Sequence, residues 1–430
     1  HNMGMYRGQV HGPREIGLHW QVHKHGADHA AGHPDGKMPV AICIGGPPEL
    51  IFSAIAPLPD NLDEYMFAGF LGRRRLRITK AKTQNLLIPA EADIVIEGWT
   101  DPNETKIEGP FGDHYGFYSL PGNYPVLHVT AITHRRNAVL PATIVGQPPM
   151  EDGYLGEAVG AQLTPVLRFQ HRDLRSLYLP LETGFHNLAI VSSKQRYPRQ
   201  GRKTALGLLG AGQMMLMKTV MVIDEHEDPH DLEVFLDALN NRVNPSEDVI
   251  VIEGLPGDSL DPANPFENVQ SKILVDATSI PSNDPRNGEK SPLGSPVMRS
   301  PEWRVAGIGA PGVPDGFDRL VVKEGIAIQA RLLRNSMLVV TIEIEGGPGP
   351  REGMEDPDEG LALLQREKVR KVAEEIWGMQ GAEDLRWLFI TDNDLNLHDS
   401  GAKRRLLWQL FARFDVDRGL LWDEDRGRIA

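Results

Sequence analysis

Apolar positions along this chain follow two rhythms. Met38-Pro-Val-Ala-Ile-Cys-Ile44 is a continuous apolar run that reads as a buried strand, with a short helix following before Ala56. Leu86–Ile96, Tyr124–Thr133 and Ala138–Val145 are half-alternating, β-rich runs of the period that strands require. Gly and Pro punctuate them at short intervals, as in an all-β barrel. From about residue 157 the period changes. Glu157–Gln170, Lys203–Met217 and His230–Arg242 read as helices, interleaved with strands over Asn187–Ser193, Thr219–Ile223 and Asp248–Glu253. That alternation predicts βαβ units.

The expected class is therefore mixed α+β. A β-rich, barrel-type domain covers 1–156 and an α/β domain covers 157–280. A Pro/Gly-rich linker spans 281–317, and 318–430 forms an additional α/β region with a helix over Glu359–Trp377 and a strand over Leu385–Ile390. Val220-Met-Val-Ile-Asp224 followed by His230-Asp231 resembles Leu388-Phe-Ile-Thr-Asp392 followed by His398-Asp399, which reads as a repeated βα unit. Gly307–Gly312 fits the GxGxxG pattern, but Pro311 and Pro314 prevent the helix a dinucleotide site needs.

Composition narrows the function classes. The 430 residues carry a formal charge of −14, with 40% hydrophobic and 24% charged positions, as expected of a soluble chain too long for one core. The acidic balance disfavours nucleic acid as a partner. No apolar run is long enough to predict an integral membrane segment. Cys43 is the single cysteine, which excludes an internal disulfide and fits a cytoplasmic location. The basic cluster Arg73–Arg77 reads as an exposed strand face. His25, His29 and His33 have the spacing of metal ligands on a helix, yet Gly26, Gly32 and Pro34 argue against a helix there.

One loop concentrates the chemistry. Glu108-Gly-Pro-Phe-Gly-Asp-His-Tyr-Gly116 sets Glu108, Asp113 and His114 on a segment whose glycines and proline suit neither helix nor strand. Two nearby carboxyls in different surroundings can divide acid and base roles. A plain surface loop with acidic caps is the other reading.

Three further blocks bear on that choice: Asn2-Met-Gly-Met-Tyr-Arg7, Gly17-Leu-His-Trp-Gln-Val-His-Lys24 and Asp63-Glu-Tyr-Met-Phe-Ala-Gly69. With the loop they form four motifs whose order resembles the UbiD-like decarboxylases, which use prenylated flavin mononucleotide (FMN). The likeness runs on through Val191–Pro198 to Val275–Thr278. It implies a split-barrel flavin-binding domain followed by α/β structure. It also implies reversible, non-oxidative decarboxylation of an aromatic or α,β-unsaturated carboxylic acid. Menaquinone-biosynthesis members look nearest, so a hydroxynaphthoate-type quinone precursor is the expected substrate. Relatives carry a further N-terminal domain, so a missing N-terminal segment is expected here.

By this resemblance Arg7, Glu108 and Asp113 are the catalytic network: Arg7 orients a carboxylate, Asp113 protonates the carbon left behind, and Glu108 couples the two. Asn2, His23 and Glu64 are implied ligands of manganese or magnesium, with potassium a further candidate ion; Asp63 stays an alternative to Glu64. Gly4, Met5, Tyr6, Arg7, His19, Trp20, Gln21 and Lys24 are implied to line the flavin, and Lys194 to meet its phosphate. His114 reads as a supporting residue. Implied partners are a small aromatic acid, CO2, a flavin prenyltransferase as cofactor supplier, and other copies of the chain in a homo-oligomer. An FMN-dependent oxidoreductase and a non-catalytic scaffold or maturation homologue remain as alternative classes.

Overall fold

The computed structural model describes residues 3–20, 25–33, 37–56, 58, 62–119, 121–264, 268–279, 329–334, 336–342, 359–379, 382, 385–392, 395–397, 399–423 and 428–430. The expected linker over 281–317, and with it Gly307–Gly312, lies outside them. The chain divides into two compact units, residues 1–151 and 152–430.

The first unit is built on a five-stranded antiparallel sheet. Its strands are β1 (Arg7–Gly12), β2 (Glu15–His19), β3 (Met38–Ile44), and the long β6 (Ile94–Glu108) and β7 (Gly122–His134), in the order β1-β2-β7-β6-β3. Between them lie the helices α1 (His25–Ala31), α2 (Pro48–Ile55) and α3 (Glu64–Leu71), and a separate two-stranded ribbon of β4 (Ile78–Lys80) and β5 (Leu87–Pro89). Among the described residues the main sheet is open, with β1 and β3 at its edges. The continuous apolar run of β3 has a physical reason: Val40 and Ile42 pack with Ile16, Leu18 and Leu127, while Ala41 and Cys43 pack with Ile88 and Val95. Both faces of the strand are covered, so the polar alternation disappears. Burial pushes the Cys43 thiol up to about 11, which leaves it an inert core residue.

Two local features shape the long β6–β7 pair. At Gly98 the ladder shifts register, and a Cβ there would sit 2.2 Å from the His128 carbonyl oxygen, so only glycine fits. One position earlier, Glu97 is fully buried and accepts the backbone N–H groups of Lys82 (2.8 Å) and Thr83 (2.6 Å) and the Thr83 hydroxyl (2.9 Å).

The second unit opens with α4 (Glu151–Gln170) and carries a five-stranded sheet in the order β11-β12-β10-β9-β8. Here β8 is Leu174–Tyr178, β9 Leu188–Ser193, β10 Thr219–Asp224, β11 Val249–Pro256 and β12 Val269–Asp276. The inner strands β9, β10 and β12 run parallel and the two edges are antiparallel. Helix α5 (Gln200–Leu209) sends Ala205, Leu208 and Leu209 against Ala189, Val191, Val220 and Val222. Helix α6 (Leu232–Arg242) covers the other face, Leu188, Ile190, Met221 and Ile223, with Phe235, Ala238 and Leu239. A second sheet in this unit holds Met337–Ile342, Trp387–Asp392 and Arg428–Ile429 in parallel. The fully buried Lys218 ties the parts together: its Nζ donates to the carbonyls of Phe411 (3.1 Å) and Phe414 (2.6 Å) and meets Asp261 at 2.6 Å.

Several sequence expectations need correction. Ala138–Val145 forms no strand; Pro141 interrupts it, and Val139, Leu140 and Ile144 are exposed. The first helix of the second unit starts at Glu151 rather than Glu157. The helix expected over Lys203–Met217 ends at Leu209, because Gly210 and Gly212 (φ +49°) break it into a separate 3₁₀ turn over Gly212–Leu216. Arg73–Arg77 is a loop after α3, where Arg74 bridges Glu49 (2.9 Å) and Glu91 (2.6 Å). A helix does form at His25–Ala31, but His33 lies beyond its end, with Nδ1 hydrogen-bonded to the His29 carbonyl at 2.8 Å. The internal similarity is one of architecture only. Asp231 caps α6 through the Glu233 N–H (2.9 Å), whereas the helix Ala402–Ala412 begins at Gly401 without a side-chain cap. His398 lies outside the described residues.

Glu97→Ala strips three donors of their buried partner and is expected to cost about 2–4 kcal/mol. Urea denaturation measures it; a midpoint unchanged from wild type would contradict the role.

Candidate active site

Strand register brings the first two residues together: Arg7 opens β1 and pairs directly with His19, which closes β2. Glu108 ends β6 on the same sheet, and the loop that follows returns the chain to β7 at Gly122. That loop is a small hairpin. Gly112 bridges Tyr118, the Asp113 N–H donates to the Phe117 carbonyl (3.0 Å), and the Ser119 N–H donates to the Phe111 carbonyl (3.0 Å). Gly109 and Gly116 take φ values of +90° and +82°, which other residues adopt only under strain. Tyr115 is buried at the tip, and the Gly109 N–H is held by Gln9 Oε1 at 2.6 Å.

Arg7 stands at the centre. Its Nε donates to Glu108 Oε1 (2.7 Å) and its Nη2 to Glu108 Oε2 (2.9 Å), a two-pronged pair onto a carboxylate that is 0% exposed. Nη1 donates to Asp113 Oδ2. Nη2 also lies 2.7 Å from His19 Nδ1, which is itself 3.2 Å from Glu108 Oε2. The Phe111 ring lies beneath the guanidinium at 4.4 Å, a cation–π contact. Asp113 Oδ1 meets both the backbone N–H and Nδ1 of His114 at 2.8 Å.

These contacts set the protonation states. Burial alone would raise the Glu108 carboxyl, but its contacts with His19 and Arg7 outweigh that and hold it below the usual carboxylate range. Burial also pushes Asp113 up, but its contacts with His114, with the charge of Arg7, outweigh that and hold it below the usual carboxylate range. Both carboxyls are therefore ionised at neutral pH, and each faces the same guanidinium.

A second group lies at the start of α3. Asp63 is spent as the helix cap, accepting the Met66 N–H at 2.9 Å, while Glu64 is buried at 3% exposure and accepts the Met3 N–H at 3.2 Å. Tyr6 accepts the Gly26 N–H at 2.9 Å, and the Met5 N–H donates to the Ala54 carbonyl at 3.1 Å, which fixes the Gly4–Tyr6 segment. Trp20 is partly buried against Ile16, Leu18 and Leu127 and so serves the core. Asn2, Gln21, His23 and Lys24 lie outside the described residues. Lys194 is in the second unit just after β9, where its N–H donates to the Asp173 carbonyl at 2.8 Å. Gln9 and Phe111 escaped the sequence reading. Neither residue type announces the role; only the register of β1 against the loop supplies it.

Comparison with known proteins identifies the family. Residues 1–148 match the 3-octaprenyl-4-hydroxybenzoate carboxy-lyase (UbiD) Rift-related domain, and residues 153–277 match the C-terminal domain of the same family. The chain belongs to the UbiD family. An uncharacterized protein of Archaeoglobus fulgidus is 45% identical over 280 residues, and one of Aquifex aeolicus is 43% identical over 281. These alignments cover 64% and 65% of this chain, which spans 58% of the length of each relative. Among solved structures, the vanillic acid decarboxylase of Sedimentibacter hydroxybenzoicus in closed form superposes with a TM-score of 0.63 at 31% identity, over 68% of this chain and 62% of its own. The UbiD-class enzyme HmfF of Pelotomaculum thermopropionicum, in complex with FMN, gives 0.59 at 27% identity, over 67% and 64%. The UbiD-family matches end at residue 277, so the second sheet and its helices lie beyond them.

Because both carboxyls are depressed in the folded state, the stability they lend is complete above the unfolded carboxylate range, about pH 4–5. It is lost as pH falls through the folded values. The stability gap between wild type and Glu108→Gln is thus expected to be widest near neutral pH and to shrink below about pH 4. Urea melts across that range read it, and a gap independent of pH would contradict the assignment.

Proposed function

We propose that this chain catalyses the reversible, non-oxidative decarboxylation of an aromatic or α,β-unsaturated carboxylic acid, with prenylated FMN and a divalent metal as cofactors. The single observation that carries this reading is the Arg7 guanidinium held between buried Glu108 and Asp113, the arginine and the two carboxylates coming from stretches about a hundred residues apart. A scaffold could use the Arg7–Glu108 pair alone, but not a second carboxylate on the same guanidinium. Support comes also from the neighbours, one of them a vanillic acid decarboxylase and the other a UbiD-class enzyme bound to FMN.

The donor set suits the implied metal. Glu64 offers a buried carboxylate oxygen, the hard ligand that manganese or magnesium prefers. Asn2, His23 and Glu64 would hold the ion, and Gly4, Met5, Tyr6, His19, Gln21, Lys24 and Lys194 would line or anchor the flavin. When bound, prenylated FMN supplies the electron sink that loss of CO2 requires.

The chain's own residues supply position and protons. Arg7 orients the substrate carboxylate by charge-assisted hydrogen bonding. Glu108 stays ionised and keeps Arg7 in place. Asp113, ionised at rest, takes up a proton and delivers it to the carbon that has lost CO2. A hydroxynaphthoate-type quinone precursor is our favoured substrate. A homo-oligomer in the cytoplasm, loaded by a flavin prenyltransferase, completes the proposal.

Asp113→Asn is expected to retain flavin and metal while turnover of a panel of aromatic and hydroxynaphthoic acids falls about 10²–10⁴-fold; undiminished turnover removes Asp113 from the donor role. Glu64→Ala is expected to lose the metal by elemental analysis and to release flavin on gel filtration. A fully loaded variant would transfer the ligand role to Asp63.

A further inference from the structure

A guanidinium has five N–H bonds and cannot accept one. Arg7 spends Nε on Glu108 Oε1 (2.7 Å), one Nη2–H on Glu108 Oε2 (2.9 Å), one Nη1–H on Asp113, and the second Nη2–H on His19 Nδ1 (2.7 Å). Nδ1 accepts that bond with its lone pair, which places the proton of the neutral ring on Nε2; in the other tautomer Nδ1–H would instead meet Glu108 Oε2, 3.2 Å away. His19 is 7% exposed and stacks on Tyr124 with ring centres 4.1 Å apart; among the described residues its Nε2 is buried without a partner. A buried imidazole with an unmet donor is costly, and the ring's service to Arg7 offsets it.

The geometry has a chemical consequence. An arginine can grip a carboxylate two-pronged through its Nε/Nη edge or through its Nη1/Nη2 end. Glu108 fills the first edge. His19 occupies the Nη2 half of the second, and one N–H remains, on Nη1, the nitrogen that also holds Asp113.

We propose that His19 is a positioning residue that blocks a two-pronged grip on the substrate, so that a substrate carboxylate reaches Arg7 only through the remaining N–H of Nη1, the nitrogen that also holds Asp113. The inference rests on the reading of Arg7 as the carboxylate receptor. Its effect is to couple binding to proton supply. As the substrate carboxylate shares Nη1, a second negative charge comes beside Asp113 and the guanidinium's hold on it is divided, so Asp113 becomes the better proton carrier. A tighter, two-pronged grip would stabilise the bound acid before CO2 is lost, without helping the reaction.

Benzoate titrated into the flavin- and metal-loaded protein tests this without turnover, using wild type and the Arg7→Ala, His19→Leu and His19→Asn variants. Loss of benzoate binding in Arg7→Ala establishes the receptor role. His19→Leu opens the second edge and is expected to tighten benzoate about 3–10-fold, while His19→Asn, whose Oδ1 can accept in place of Nδ1, returns it to the wild-type value. Unchanged or weaker binding in His19→Leu, with Arg7→Ala inactive in binding, overturns the proposal and leaves the receptor reading intact. Undiminished binding in Arg7→Ala, or none in wild type, overturns both.

Discussion

The first unit is organised around one buried ion pair. Glu108 has no exposed surface, so its charge must be met inside the protein, and Arg7 meets it with two parallel hydrogen bonds. Removing either partner would leave an uncompensated buried charge, a penalty of several kcal/mol, about 3–5. That penalty fixes the start of β1 against the end of β6 across more than a hundred residues of sequence. His19 follows by register from β2, and Asp113 follows from the tight hairpin that leaves Glu108. The proposed reacting groups are thus carried by strand ends and one stiff loop, where positions are held more closely than on a free surface segment.

The second unit obeys a different constraint. Its inner strands are parallel and covered on both faces, so β9 and β10 are buried almost throughout. Lys218 and Lys272 are buried in this region. The Lys272 ammonium donates to the carbonyls of Met215 (2.6 Å) and Met217 (2.8 Å), and burial brings its pKa down to about 7. Lys218, capping the turn after the helix Ala402–Ala412, joins the family's C-terminal domain to the sheet beyond it.

How much was legible in the sequence depended on the kind of signal. Glu108 and Asp113 stood out because two carboxylates lie on a segment rich in glycine and proline, while Arg7 was named through the resemblance of its block to the UbiD-like decarboxylases. The strands β3, β9 and β10 were legible from apolar runs that both faces demanded, and β7 from its half-alternation. Ala138–Val145 misled for the same reason, since an apolar run reads alike whether or not a neighbouring strand exists to pair with it. Glu64 was preferred to Asp63 for its place directly before Tyr65; the helix start tells the two carboxylates apart, one as a cap and the other buried. His19 was read as a flavin neighbour, and its hold on Arg7 emerges only from the pairing of β1 with β2.

The central claim is that this Arg7-centred cluster serves prenylated-flavin chemistry. The most direct measurement is mass spectrometry of the small molecules released from the purified protein after co-expression with a flavin prenyltransferase, paired with metal analysis. The account predicts prenylated FMN together with manganese or magnesium. Unmodified FMN alone, or no flavin from well-folded protein, would contradict it.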